Sequence, residues 1–144
     1  MRFSVLISAY RTEIPIILDR ALKSIWDDQV LKPNEIVLVK DGPLTVELDY
    51  LIKTWSIRLG EVMKLVTLEK NIGLGDALGI GIKECKYDIV ARMDTDDISL
   101  PHRFSTQISY LKKNKDIQVL GAHISEFKTN ENIRLSTRLV PLSH

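Results

Sequence analysis

The chain has 144 residues, with 20 basic against 19 acidic side chains and a formal charge of +1, a length that suits one domain burying a sheet between helices without staples. Its lysines are scattered, and the densest run, Lys112-Lys113-Asn114-Lys115, reads as the polar end of a helix, so no nucleic-acid partner is expected. The single cysteine, Cys85, cannot close an internal disulfide, which fits a reducing cytoplasmic compartment, and no apolar stretch approaches the roughly 20 residues of a membrane span. Met1-Arg2-Phe3 enters a strand-like run directly, without signal-peptide architecture, so the chain reads as soluble and unprocessed.

Phe3 to Ala9 is short, apolar and β-branched enough for a buried strand. A helix follows, with Pro15 suited to its first turn and Ile17, Leu18, Ala21, Leu22, Ile25 and Trp26 on one apolar face. Pro33-Asn34 ends it, and Glu35 to Lys40 reads as a second buried strand. Asp41-Gly42-Pro43 is turn chemistry. Thr45, with Glu47 close behind, starts a helix whose face is Leu48, Leu51, Ile52 and Trp55. A third strand, roughly Met63 to Leu68, leads through Asn71-Ile72-Gly73 to another helix, and that helix to the apolar run Tyr87 to Met93. Beyond Pro101 a helix of about four turns should run to Lys113 with Phe104, Ile108 and Leu111 inward. Strand-like runs follow at Gln118 to Ile124 and Ile133 to Val140, and Pro141 to His144 carries no helix-ending or tail-like signal. Strict alternation of near-continuous apolar strands with amphipathic helices predicts one α/β domain over 1–144: a Rossmann-like, mostly parallel sheet with helices on both faces.

In such a sheet ligands bind at the carboxyl ends of the strands. The loops there are Tyr10-Arg11, Asp41-Gly42, Glu69-Lys70-Asn71 and Asp94-Thr95-Asp96-Asp97, all polar. Three carboxylates in four residues repel one another unless a cation or a set of donors faces them, and a divalent ion with open positions is how proteins grip a diphosphate. The alternatives are weaker. Ala9-Tyr10-Arg11 supplies no glycine for a dinucleotide fingerprint, and an EF-hand would need Gly and Glu where Ser99 and Ser105 stand. Asp97 or Ser99 alone could cap the next helix. An aspartate-dependent phosphatase on Asp94 and Asp96 is chemically open but lacks an evident lysine partner. Asp41 is either turn chemistry or an acceptor for the imino N–H of a base such as uracil. Tyr10 either stacks on that base or covers the sheet edge. Arg11 and Lys70 pair with phosphates or lie in solvent. Arg92 suggests an ion pair with one of the aspartates. Gly73, Gly75, Gly79 and Gly81 suggest close packing of a helix against the sheet or a ligand. His102, His123 and His144 are too dispersed for a metal trio, and Cys85, near a helix end with no histidine close in sequence, reads as structural.

Ser4 to Tyr10 (SVLISAY), Glu35 to Pro43 (EIVLVKDGP), Asn71 to Leu78 (NIGLGDAL) and Arg92 to Pro101 (RMDTDDISLP) resemble, in order and spacing, the amino-terminal half of family 2 glycosyltransferases, closest to bacterial members that build capsule, exopolysaccharide or lipopolysaccharide. The resemblance implies a GT-A type fold, an inverting mechanism, a nucleotide-diphosphate-sugar donor, often UDP-linked, and a saccharide or lipid-linked saccharide acceptor. It implies nucleotide contacts at Ala9, Tyr10, Arg11, Asp41, Asn71, Arg92, Asp94 and Thr95. Asp94 and Asp96 match the ends of the family's Asp-x-Asp motif, with Asp96 on Mg2+ or Mn2+. Lys40 stands where many relatives have a second acidic residue, which weakens the uracil preference. The family's base lies in the acceptor-binding half, beyond residue 144; Glu126, Glu131 and His144 sit in no matching motif. The chain therefore reads as truncated, a donor site belonging to a longer cytoplasmic protein with peripheral attachment to the inner face of the membrane.

Overall fold

The computed structural model describes residues 1–128 and 131–140, so the reading of Pro141 to His144 lies outside the described residues. The chain divides into two compact units, Met1–Ile108 and Ser109–His144.

The first unit alternates strand and helix: β1 (Ser4–Ala9), α1 (Pro15–Ile25), β2 (Glu35–Lys40), α2 (Val46–Leu59), β3 (Met63–Thr67), α3 (Leu74–Glu84), β4 (Val90–Met93) and the start of α4 (Arg103–Lys113). The four strands form one parallel sheet in the order β3-β2-β1-β4. β1 pairs in parallel on both sides, against β2 from Ser4↔Glu35 and against β4 from Ser4↔Val90. Buried on both faces, it has no polar alternation, as a central parallel strand requires.

Two apolar layers cover the sheet. Val5, Ile7, Ile36 and Leu38 pack with Leu18, Leu22 and Ile25 of α1, Leu48, Ile52 and Trp55 of α2, and Phe104 and Ile108 of α4. Leu6, Val37 and Val39 face the other way and pack on Ala77 of α3. The chain moves from β1 to β3 in one direction and returns past β1 to β4. Crossovers of one hand that reverse direction must pass over the opposite face, which puts α3 alone on its side. The reversal places the switch point between β1 and β4, where a parallel sheet opens a crevice.

The predicted helix starts hold. Pro15 occupies the first turn of α1, and Thr45 caps α2 by accepting the Leu48 N–H at 3.3 Å. The predicted face of α1 needs one correction. Ile17 is 39% exposed, because Leu18, Ala21, Leu22 and Ile25 already make the i, i+3, i+4, i+7 stripe and Ile17 falls about 100° off it; Ser24 is buried at its edge.

In the second unit the expected strand Gln118 to Ile124 is not formed. β5 (Ile124–Glu126) pairs antiparallel with β6 (Ser136–Arg138) in the register Ile124↔Arg138. A strand exists only where its backbone groups find a ladder, and the residues before Ile124, interrupted by Gly121, find none among the described residues. The run from Ile133 to Val140 is likewise strand only over Ser136–Arg138. His123 is used locally, its Nδ1 accepting the Val140 N–H at 3.2 Å. No helix among the described residues is long and apolar enough to cross a membrane.

Candidate functional site

The carboxyl ends of β1, β2, β3 and β4 converge on a cleft of about 490 Å³, within the ordinary range for a small-ligand site. Ser8, Tyr10, Glu13, Asp41, Asn71, Gly73, Leu74, Asp94, Thr95 and Asp96 line it. All four loops singled out in the sequence thus reach one place. Of the expected nucleotide contacts, Tyr10, Asp41, Asn71, Asp94 and Thr95 line the cleft. Ala9, Arg11 and Arg92 are not among its lining residues. Ala9 is fully buried at the end of β1, its carbonyl accepting the Asp41 N–H at 2.8 Å, and Arg11 stands exposed on the turn after it.

Asp41, 3% exposed, is held from the neighbouring loop. Its Oδ1 accepts the Ile72 N–H at 2.8 Å, and its Oδ2 accepts the Asn71 Nδ2 at 3.0 Å and the Gly73 N–H at 3.1 Å. A carboxylate has about four acceptor positions, so three are already taken. The turn and this loop touch backbone to backbone. Gly42 has φ +84°, and a Cβ there would lie 2.5 Å from the Asn71 nitrogen. Gly73, at φ +90°, turns the chain into α3 and aims that helix's first turn at the cleft, with Gly73 and Leu74 on its wall. The helix N-terminus gives this side of the cleft partial positive character.

The close packing expected of the glycines falls on one of the three in α3. A Cβ on Gly81 would meet Leu6 Cδ1 and Val39 Cγ2, each at 2.6 Å, so α3 sits on the sheet only because Gly81 has no side chain. Gly75 and Gly79 have nothing within 4 Å of the same position, and both are exposed.

The acidic loop after β4 is arranged differently. Arg92 closes a fork on Asp94, with Nη2 at 2.8 Å and Nε at 3.1 Å from Oδ1, which is the ion pair expected from sequence. Thr95 is buried and Asp96 exposed. Arg103 reaches back from α4, its Nη2 donating to the Arg92 carbonyl at 2.9 Å and its Nη1 lying 3.3 Å from Met93 Sδ. Burial lowers the pKa of this guanidinium, while Asp97 and Asp94 work in the opposite direction.

The charge count of the cleft follows. Asp41 is matched by N–H donors and Asp94 by Arg92, whereas the carboxylates of Glu13 and Asp96 meet no hydrogen bond or cation among the described residues. No group of three His, Cys, Asp or Glu side chains is placed to hold a metal among those residues. The donor set therefore does not make an all-protein cage. It does fit an ion held by one or two carboxylates that takes its remaining ligands from phosphate oxygens, which is how Mg2+ is commonly bound.

Sequence reading missed Ser8, Glu13 and Leu74, while Gly73, one of the glycines marked for close packing against the sheet or a ligand, does line the cleft. Glu13 lies three residues past Tyr10 in a loop already marked as polar, and Leu74 follows Gly73, so proximity in sequence was the available signal. Cys85 is structural as read: burial, with Glu35 next, raises its pKa, and its Sγ donates to the Gly81 carbonyl.

The model of the family described as glycosyl transferase family 2 matches residues 4–143. The chain belongs to that family. Among curated relatives, the amylovoran biosynthesis glycosyltransferase AmsE of Erwinia amylovora is 45% identical over 142 residues, covering 99% of this chain and 52% of the relative. The UDP-Gal:alpha-D-GlcNAc-diphosphoundecaprenol beta-1,3-galactosyltransferase of Escherichia coli is 38% identical over 140 residues, covering 97% and 50%. The family 2 chain thus spans about half the length of the curated relatives it matches. Its fold is shared with S. aureus TarS 1-349 in complex with UDP-GlcNAc, at 23% identity and TM-score 0.68 over 80% of this chain and 32% of that one. The mannosyltransferase PcManGT from Pyrobaculum calidifontis, in complex with GDP-Man and Mn2+, superposes with TM-score 0.64 at 22% identity over 76% of this chain and 32% of that one. The expected GT-A type architecture is therefore the one observed.

Proposed function

We propose that this chain is the donor-binding part of a metal-dependent, inverting glycosyltransferase that moves a sugar from a UDP-linked donor to a saccharide or lipid-linked saccharide acceptor in bacterial envelope polysaccharide assembly. The supporting observation is the unmatched charge of the cleft. Glu13 and Asp96 leave its floor acidic, so a diphosphate can approach only with a cation between. Asp96 is the ligand for Mg2+ or Mn2+, and Asp94 is the second, sharing its charge with Arg92. When bound, the ion supplies positive charge to the departing nucleoside diphosphate.

The rest is the work of the chain's own residues. Tyr10, 43% exposed at the rim, offers its ring to the base. Asp41 has one acceptor position left for a base N–H, and Asn71, already donating to Asp41, sets the wall beside it. Thr95 and the first turn of α3 add donors toward the phosphates. Ala9 contributes through its backbone, and Arg11 meets the donor only from the rim. We assign no base for the acceptor hydroxyl to any residue of this chain. The relative named for a UDP-galactose reaction on a diphosphoundecaprenol-linked sugar supports the UDP donor and the lipid-linked acceptor.

Calorimetric titration of UDP and of GDP, each with and without Mn2+, tests the reading. UDP should bind far more tightly with Mn2+ than without it, and more tightly than GDP, and Asp96→Asn should weaken the Mn2+-dependent binding by about tenfold or more, the scale of a lost charge-assisted ligand. A folded chain that binds neither nucleotide, or binds equally well without metal, would sink it.

A further inference from the structure

From Asp94 to Pro101 the chain forms neither helix nor strand, yet it carries Asp94 and Asp96 into the cleft. Its far end is tied to α1 by a buried cluster outside the cleft. Gln29, 4% exposed, donates from Nε2 to the Ser24 carbonyl at 2.7 Å and the Leu100 carbonyl at 2.9 Å, with the Ser99 carbonyl at 3.2 Å also in reach. The Ser99 N–H donates to Ser24 Oγ at 3.0 Å, and the Val30 N–H to the Pro101 carbonyl at 3.0 Å. Gln29 Oε1 has no partner among the described residues. The amide is therefore used only as a donor, its two hydrogens shared among carbonyl oxygens that no carboxylate could face. Ser24 and Ser99 are as buried as Gln29, so water does not substitute for these bonds.

We propose that Gln29 is a positioning residue for the donor site, clamping Ser99 and Leu100 so that Asp94 and Asp96 hold their places in the cleft; this rests on the donor-site reading above. Ser99 is three residues from Asp96, a tether of at most about 11 Å of extended chain. Arg103 fixes the other end of the loop through the Arg92 carbonyl. Between these two ties the aspartates have little freedom. A loop free to shift by about 1 Å loses on the order of a hundredfold in the function its groups perform.

Gln29→Met keeps the length of the side chain and removes both donors. Two readouts are taken on it: hydrogen exchange of the segment 94–101, and the ratio of UDP affinities with and without Mn2+. Losing two buried hydrogen bonds should speed exchange there by about tenfold or more, with β1 and β2 unchanged. The Mn2+-dependent ratio should fall by about tenfold, while metal-free UDP affinity is preserved. As a control, Asn34→Ala removes the bond to the Phe3 N–H at the other end of the sheet, and should lower Tm without moving either readout. Ser24→Ala, which deprives the Ser99 N–H of its acceptor, reads the same loop if Gln29→Met does not fold. Unchanged exchange in 94–101 overturns the clamp, and faster exchange with an unchanged ratio overturns the positioning role. A wild-type chain with no Mn2+-dependent UDP binding overturns the donor-site reading and the positioning role with it, while the exchange data still decide whether Gln29 holds the loop.

Discussion

The turn after β2 and the loop after β4 both bring aspartates to the same cleft, but the two sets are bound in opposite ways. Asp41 is buried and spends three of its acceptor positions on Asn71, Ile72 and Gly73, so it stitches one loop of the cleft to another. Asp96 is exposed and meets no partner among the described residues, and Asp94 faces only the outward fork of Arg92. Residue type and location within the sheet are alike. What differs is whether the protein supplies hydrogen-bond donors to the carboxylate or leaves it open to the cleft.

The widest test of that contrast sets the two aspartates side by side. Asp41→Ala strands two backbone N–H groups and an amide in a buried turn, and should cost about 2–4 kcal/mol in denaturant unfolding. Asp96→Asn changes an exposed side chain and should move stability by no more than about 0.5 kcal/mol while removing metal-dependent nucleotide binding. If both variants melt like the wild type, Asp41 is not the stitch described here.

A smaller effect separates the glycines of α3. Gly81→Ala drives a methyl into Leu6 and Val39 and should destabilise by about 1–3 kcal/mol, partly relieved by Val39→Ala in the same chain. Gly79→Ala points into open space within a helix and should stabilise by about 0.5–1 kcal/mol. Thermal melts of the two single variants should therefore shift in opposite directions.

The smallest concerns the seam between α1 and α2, away from the cleft. Asp19 accepts from Trp55 Nε1 at 2.8 Å and pairs with Lys23 at 2.6 Å. Burial works against its ionised form, yet the hydrogen bonds from Lys23 and Trp55 hold its pKa below the ordinary aspartate value. A depressed folded-state pKa contributes stability above the unfolded value, and that stability is lost as pH falls from about 4 through the folded pKa. Asp19→Asn should thus cost about 0.5 kcal/mol at neutral pH, the scale of a solvent-screened pair, and the gap to wild type should close in acid below pH 4. A gap that stays constant down to pH 2 would mean the bond to Trp55, not the charge, carries the effect.

Much of this molecule was legible in its sequence because period and punctuation are local. Apolar runs without alternation, helices with Pro15 and Thr45 at their heads, and polar residues at every strand end follow from neighbours a few positions apart, and they yielded the parallel sheet, the four loops and the Arg92–Asp94 pair. The second unit was read less well. Gln118 to Ile124 looks like a strand, but a strand is decided by its partner, and that information is not in the run itself. Gly81 and Gly79 are indistinguishable by sequence, since only the distance from helix to sheet separates a close approach from open space. Asp41 reads as turn chemistry or as a base contact, and only the folded chain showed three N–H donors arriving from thirty residues away. Gln29 carried no signal at all, because its partners on the loop, Ser99 and Leu100, lie 70 and 71 residues downstream and meet it only after β4 has crossed back beside β1. The sequence by itself determined which residues form the elements and which loops share an end of the sheet; tertiary structure decided which carboxylates are consumed within the protein and which stay open to the cleft, because hydrogen-bond partners across a sheet are set by topology rather than by neighbours in the chain.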